Sequence, residues 1–317
     1  MEFTDTCGVF LPLCLIIGVS LVNGFTDAPT SITSAVSVGA MTMRRAAILS
    51  CVFNLLGILL SCLFSFGVAN TIVKMGQGVG SGEICASLVA VIIFGAVTYL
   101  FGMPSSESIA LICALYGSVF YVGGEIRAYE LFLTLAFLVI SCVMSFLISL
   151  VLGYLLKDKR LPHRELLITS LCLSSLIHGS QDGQKFMGLY LIVMGFADTS
   201  PSLSQNALGI LTVGFAMCTG TLFGGKRIVK ALGERTVKLN YALALSSDLG
   251  SFASLFVCSL LGVPVSTGNA KATSIMGAGL GVGEKINKKT ATELIIASVA
   301  TIPVCFLLGY FLTFLFT

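Results

Sequence analysis

The chain has no tryptophan, and only 10% of its 317 residues are charged. Soluble domains carry about 25% charged residues, so the deficit excludes an ordinary soluble globule. Without Trp, interfacial anchoring falls to Tyr, Lys and Arg. There is no Cys-x-x-Cys spacing. The eleven cysteines stand singly in hydrophobic segments, as at Cys51, Cys62, Cys142 and Cys258. They read as small buried apolar residues, neither disulfides nor metal ligands. No GxxxxGK[ST] loop is present, which argues against a nucleotide-driven pump. Nothing points to a nucleic-acid partner or an organic cofactor. Met1–Cys7 lacks a basic residue and hydrophobic segments continue to the end, unlike a removable signal peptide.

What is present is apolar sequence, 56% of the residues. The strongest runs are 8–22, 46–67, 84–101, 129–156, 205–224, 240–261 and 291–316. Several reach the roughly 20 residues that cross a bilayer. Weaker, interrupted stretches lie at 23–40, 103–121, 165–196 and 264–283. The expected fold class is an all-α polytopic membrane protein.

Polar, glycine-containing stretches interrupt these runs in matching pairs. Asn23-Gly24-Phe25-Thr26-Asp27 echoes His178-Gly179-Ser180-Gln181-Asp182. Gly102-Met103-Pro104-Ser105-Ser106 echoes Gly262-Val263-Pro264-Val265-Ser266. Carboxylates and helix breakers at membrane depth are costly and mark solute pathways. Their recurrence in the same order points to a duplicated transporter. Residues 8–40 as one straight helix would extend about 50 Å, too long for the hydrocarbon core, so the chain should break at Asn23-Gly24, before Pro29. A second break is expected at His178-Gly179. The Pro104 and Pro264 stretches either cross as broken helices or re-enter.

The charged segment Lys157–Arg164, with Pro162, divides the chain. The expected organisation is an N-terminal repeat 1–156, a cytoplasmic linker 157–164 and a C-terminal repeat 165–317. With an odd number of crossings per half, the linker side carries Arg44, Arg45 and the basic residues of 157–164, 226–238 and 285–289. Only Lys74 and Arg127 face the other side. This fits the positive-inside rule, puts both termini outside the cytoplasm and makes the halves two inverted-topology repeats, with about 10 membrane segments in all.

The motifs bring in a family. The chain resembles the inorganic phosphate transporter (PiT) family of cation-coupled anion symporters over nearly its whole length. An NGxND-like motif is matched by Asn23–Asp27, and a GLPSS-like motif by Gly102–Ser106. An HGANDxQK-like motif is matched by His178–Lys185, a GTLFGGxR-like stretch by Gly220–Arg227, and a GLPVSTTH-like motif by Gly262–Thr267. The departures are Thr26 and Gln181 for Asn-like residues, Pro29-Thr30 for Ala-Asn, and Glu107 for serine. Ile109 and Asn269 stand for histidines, and Lys271 stands for an apolar residue.

An oxyanion needs several convergent donors, which serine hydroxyls and free amides at a half-helix start supply. Proline suits such a start because its missing N–H would be unpaired there. Ser105, Ser106, Ser266 and Thr267 are therefore expected at the anion, with Gln184, Lys185 and Thr30. A local cap is the competing reading. Asp27 and Asp182, helped by Asn23 and Gln181, are expected to hold the coupling cation, Na⁺ or H⁺, beside carbonyls freed by the helix breaks. Here too each aspartate could cap its own half-helix. His178 reads as a structural donor or a proton relay, and Lys185 as an anion attractor or a partner of Asp182. Glu107 and Lys271 are expected to pair with each other across the repeats, since either alone is expensive at that depth. Proton coupling at Glu107 and snorkelling of Lys271 are the alternatives.

The implied function is symport of inorganic phosphate in the cell (plasma or inner) membrane. Carboxylates outnumber lysines in the membrane segments, which favours co-binding of cations. Sulfate or another oxyanion is the alternative cargo. A channel, and an intramembrane hydrolase built on Ser174, Ser175, His178 and Asp182, are the readings from other classes. The resemblance also implies a homodimer.

Overall fold

The computed structural model describes residues 3–64, 67–102, 106–159, 163–196 and 203–317. Among them it is helical, without a strand. The first half comprises α1 (Phe3–Thr26), α2 (Pro29–Ser37), α3 (Met43–Phe64), α4 (Gly67–Met75), α5 (Ser81–Phe101), α6 (Glu107–Tyr121) and α7 (Ala128–Leu156). The second comprises α8 (His163–His178), a π-turn (Gly179–Gly183), α9 (Gln184–Val193), α10 (Leu203–Phe223), α11 (Lys226–Lys230) with a π-turn (Ala231–Thr236), α12 (Tyr241–Leu260), α13 (Thr267–Val282) and α14 (Lys288–Thr313). Six helical stretches are long and apolar enough to cross a membrane, and α10 with the bent segment after it makes a seventh.

The outer surface is apolar. Phe64, Phe101, Phe132, Val139, Phe215 and Phe311 are exposed, as a lipid-facing surface requires. The polar residues lie inside. On α7 the buried positions are Thr134, Ser141, Ser145, Ser149 and Gly153; on α14 they are Leu294, Thr301, Cys305, Gly309 and Thr313. Small residues at four-residue spacing let helix backbones approach closely where no hydrophobic effect drives association. The stripe on α7 receives α13, and the stripe on α14 receives α6. So each half's short buried helix packs against the long last helix of the other half. The other contacts are reciprocal as well: α1 meets α10 as α8 meets α3, α5 meets α6 as α12 meets α13, and α4 meets α9 as α11 meets α2.

Both interrupted spans depart from the expected breaks. Helix α1 runs through Asn23-Gly24 and ends only at Thr26. The break sits at Asp27-Ala28, where the amides of both Asp27 and Ala28 bond the Asn23 carbonyl and Thr30 N bonds Asp27 O. Pro29 supplies no amide to the Phe25 carbonyl, and the amides of Ala28 and Thr30 turn from the Gly24 and Thr26 carbonyls to those of Asn23 and Asp27. In the second half the helix widens into the π-turn Gly179–Gly183 instead of breaking.

The two glycines serve another purpose, close approach. A Cβ on Gly24 would lie 2.2 Å from the Met217 carbonyl, and one on Gly179 would lie 2.0 Å from the Asn54 carbonyl. Both obstacles are backbone and cannot yield without moving a helix. Gly179→Ala is expected to destabilise the protein by about 1–3 kcal/mol, the cost typical of overpacking. Thermal unfolding in detergent measures this; an unchanged midpoint would contradict the packing role.

Candidate functional site

The site forms where the widened spans meet the starts of α6 and α13. Ser106 and Ser266 are the N-caps, with extended backbone, and their hydroxyls accept from Ile109 N at 3.3 Å and Asn269 N at 3.2 Å. The local-cap reading thus describes what these two oxygens do, while each O–H proton stays free to donate. Ser105 lies outside the described residues. The two helix starts touch: Ser108 Oγ donates to Val265 O at 3.0 Å.

Asp182, from the π-turn, is the hub. Its Oδ2 accepts from Asn23 Nδ2 at 3.1 Å and Thr267 Oγ1 at 3.0 Å, with His178 Nε2 at 3.2 Å. Its Oδ1 pairs with Lys185 Nζ at 2.5 Å. Lys185 also donates to Ser108 Oγ and to Val265 O at 2.6 Å. Its three donors are therefore spent, and it acts as the partner of Asp182, not as a free anion attractor.

Asp27 has the opposite environment. It is fully buried, and neither carboxylate oxygen makes a hydrogen bond. Asn23 Oδ1, Gln181 Oε1 and Glu107 Oε2 are likewise buried acceptors without partners. Gln181 Nε2 donates to Leu255 O at 3.4 Å. Two members of the duplicated motif thus sit in unlike surroundings, one saturated and one unsatisfied. The Phe25 carbonyl freed by Pro29 and the Asp27 carboxylate are oxygen donors of the kind a hard monovalent cation takes.

Two expectations are corrected. Glu107 and Lys271 do not pair. Glu107 Oε1 accepts from Thr26 Oγ1, whereas Lys271 Nζ pairs with Asp248 Oδ1. Helix α12 packs along α13 and carries Asp248 beside Lys271, while Glu107 faces α1 and α5 from the first turn of α6. Gln184 does not face the anion residues: its Oε1 accepts from Val68 N at 3.1 Å and Ala69 N at 3.3 Å, capping α4.

A small cavity of about 10 Å³ opens beside this hub, where the polar side chains of Thr30, Ser31, Ser174, Ser251, Thr267 and Lys271 meet His178, Ile177 and Leu255. Thr30 Oγ1 bonds its own helix start, at Asp27 O 2.7 Å away. Ser31 and Ser251 were not singled out from sequence, and Asp248 counted there only as one of the carboxylates at membrane depth, with Asp27, Glu107 and Asp182. Their signal was present as polar residues repeating at three- and four-residue spacing on apolar helices: Ser31 and Ser34, Ser170 and Ser174, Asp248 and Ser251. The hydrolase reading finds no activated nucleophile, because Ser174 Oγ bonds nothing and neither His178 nitrogen makes a hydrogen bond.

Comparison with known proteins agrees with the motif resemblance. The model of the phosphate transporter family matches residues 23–167 and 157–309. A probable low-affinity inorganic phosphate transporter of Bacillus subtilis (strain 168) is 30% identical, over 95% of this chain and 94% of the relative. One from Rhizobium meliloti (strain 1021) is 31% identical, over 90% of each. A solved structure described as the sodium-dependent phosphate transporter aligns with a TM-score of 0.84 across 98% of both chains, at 18% identity, and so shares the fold. The chain is a multi-pass membrane protein that belongs to the phosphate transporter family.

Proposed function

We propose that this chain is a secondary symporter that carries inorganic phosphate on a cation gradient by alternating access. The observation that carries the reading is Asp27, a fully buried carboxylate whose two oxygens lack hydrogen-bond partners. A charge so placed is strongly unfavourable unless a cation or a proton joins it. Na⁺ suits the surrounding oxygens, and H⁺ is the alternative occupant. Asp182 is already neutralised by Lys185, so its role is to hold Asn23, His178 and Thr267 in place around the cavity. Cation binding at Asp27 lowers the negative potential of the site, and the anion then enters among the hydroxyls of Thr30, Ser31 and Thr267.

The reciprocal packing of α6 on α14 and α13 on α7 supports two inverted repeats, 1–156 and 165–317, joined by a linker at 157–164. Helices α6 and α13, entered at the extended N-caps Ser106 and Ser266, then complete one crossing apiece. With the spans α1–α2, α3, α5, α7, α8–α9, α10, α12 and α14, this makes about ten membrane segments. The linker and the basic loops lie in the cytoplasm, and both termini lie on the other side.

Uptake of labelled phosphate into proteoliposomes tests the reading, with a Na⁺ gradient, a H⁺ gradient or neither imposed and sulfate as competitor. Accumulation above equilibrium that requires one cation gradient and resists sulfate is the expected result. Equilibration without accumulation would mean a channel. Sulfate accumulation in place of phosphate would mean that the departures at Thr26, Glu107 and Gln181 have changed the cargo.

A further inference from the structure

Four helices line the cavity, and one turn further along each of them lies a second polar residue. On α2, Ser34 follows Ser31. On α8, Ser170 precedes Ser174. On α12, Asp248 precedes Ser251. On α13, Lys271 follows Thr267. This second layer is one hydrogen-bonded cluster. Asp248 Oδ1 takes Lys271 Nζ and Ser34 Oγ, the latter at 2.6 Å, and Oδ2 takes Ser170 Oγ at 2.6 Å. Lys271 Nζ also reaches Ser34 Oγ at 2.9 Å and Ser247 Oγ at 3.4 Å. The cluster is the floor of the cavity, on the side toward the start of α8 and the end of α2.

Lys271 alone belongs to both layers. It lines the cavity and also holds Asp248. Like Lys185 it meets three acceptors, here Asp248, Ser34 and Ser247, but all three are side chains and Lys271 borders the cavity, whereas one partner of Lys185 is a backbone carbonyl. A lysine is a compact charge on a flexible stem, able to swing between acceptors without leaving the cavity wall. Asp248 keeps Ser34 and Ser170 when the lysine departs, so the exchange does not leave it bare.

We infer that Lys271 is an anion ligand held in reserve by Asp248, and that its ammonium transfers from the Asp248 carboxylate to a tetrahedral oxyanion bound in the cavity. The inference rests on the proposed phosphate symport and adds the residue that reads the anion's charge. The transfer also unfastens the floor, because the ion pair stitches α13 to α12, α2 and α8. Anion binding thereby loosens the wall through which the cargo leaves.

The test is the KM and kcat for phosphate in proteoliposomes made with the wild-type chain, Asp248→Asn, and the double variant Asp248→Asn with Lys271→Met. In Asp248→Asn the lysine is released to the anion, so KM is expected to fall several-fold. The double variant orphans no charge, and its KM is expected to rise at least about tenfold, equivalent to about 1.4 kcal/mol of lost binding. A purely structural ion pair predicts a wild-type KM in the double variant, and that result overturns the inference. An unchanged or raised KM in Asp248→Asn overturns it too, even where the double variant does not fold. If the wild-type chain moves no phosphate under any gradient, the symport reading fails and the inference falls with it. If the wild type transports normally but the variants behave structurally, only the role of Lys271 falls.

Discussion

Asp27→Asn is expected to abolish cation-driven phosphate accumulation, by at least about 100-fold, or about 2.7 kcal/mol of lost coupling, while leaving the fold intact. The asymmetry of the two aspartates is the reason. Asp27 has no hydrogen-bond partner to strand, so its replacement orphans nothing. Removing a buried, unpaired charge relieves a desolvation cost, so the melting midpoint should stay level or rise. What is lost is the negative charge that holds the cation beside the carbonyls of Gly24, Phe25 and Thr26. Uptake with and without the gradient, alongside thermal unfolding in detergent, separates the two effects. Retention of half or more of the wild-type accumulation would remove Asp27 from the coupling site.

Asp182→Asn has the opposite signature. Asp182 carries bonds from Asn23, Thr267 and Lys185, and all four side chains are buried. Neutralising it leaves the Lys185 ammonium without a counter-charge inside the membrane domain. Breaking a buried pair from one side costs about 3–5 kcal/mol, whereas removing both charges costs far less. Asp182→Asn is therefore expected to destabilise by that amount, and adding Lys185→Met to restore a large part of it. A double-mutant cycle on unfolding free energy reads the coupling directly. An Asp182→Asn variant as stable as wild type would show that the pair does not hold α6, α13 and the π-turn together. In the expected outcome, equal residues in a duplicated motif differ by function in one case and by stability in the other.

Much of the plan was legible in the residues. Apolar runs of bilayer length fixed the class, because a chain with so few charges has no other way to bury its surface. The repeated Asn23–Asp27 and His178–Asp182 stretches marked the two widened spans, since carboxylates and glycines at that depth need a reason. Pro104 and Pro264 with the serines after them marked the two half-helix starts, and Ser106 and Ser266 do cap α6 and α13. The break itself was misplaced by a turn. Pro29 acts on the carbonyls before it, so the helix persists through Gly24 and fails only at Asp27-Ala28.

Partner choice was not legible. Periodicity tells which residues share one face of a helix; it does not tell which helix that face meets. Glu107 and Lys271 lie on the two helices that follow the matched Pro-Ser stretches, and their opposite charges invited pairing, yet packing sets Asp248 against Lys271 and Thr26 against Glu107. Gln184 sits within a polar motif but its oxygen is drawn to the free amides of α4. Gly24 and Gly179 looked like breakers, and their use as contact points emerges only with the Met217 and Asn54 carbonyls in place.

The sequence by itself determined that this is a helical membrane protein with two matched polar interruptions in each half, because hydropathy, helix propensity and proline's missing amide act locally. Only the tertiary structure decided which aspartate is satisfied, which lysine borders the cavity and which helix ends share it. Those outcomes depend on side chains brought together from distant parts of the chain, such as Asn23 with Asp182 and Ser34 with Asp248. Buried electrostatics is settled pair by pair at hydrogen-bond range, and no pattern along the chain encodes that range.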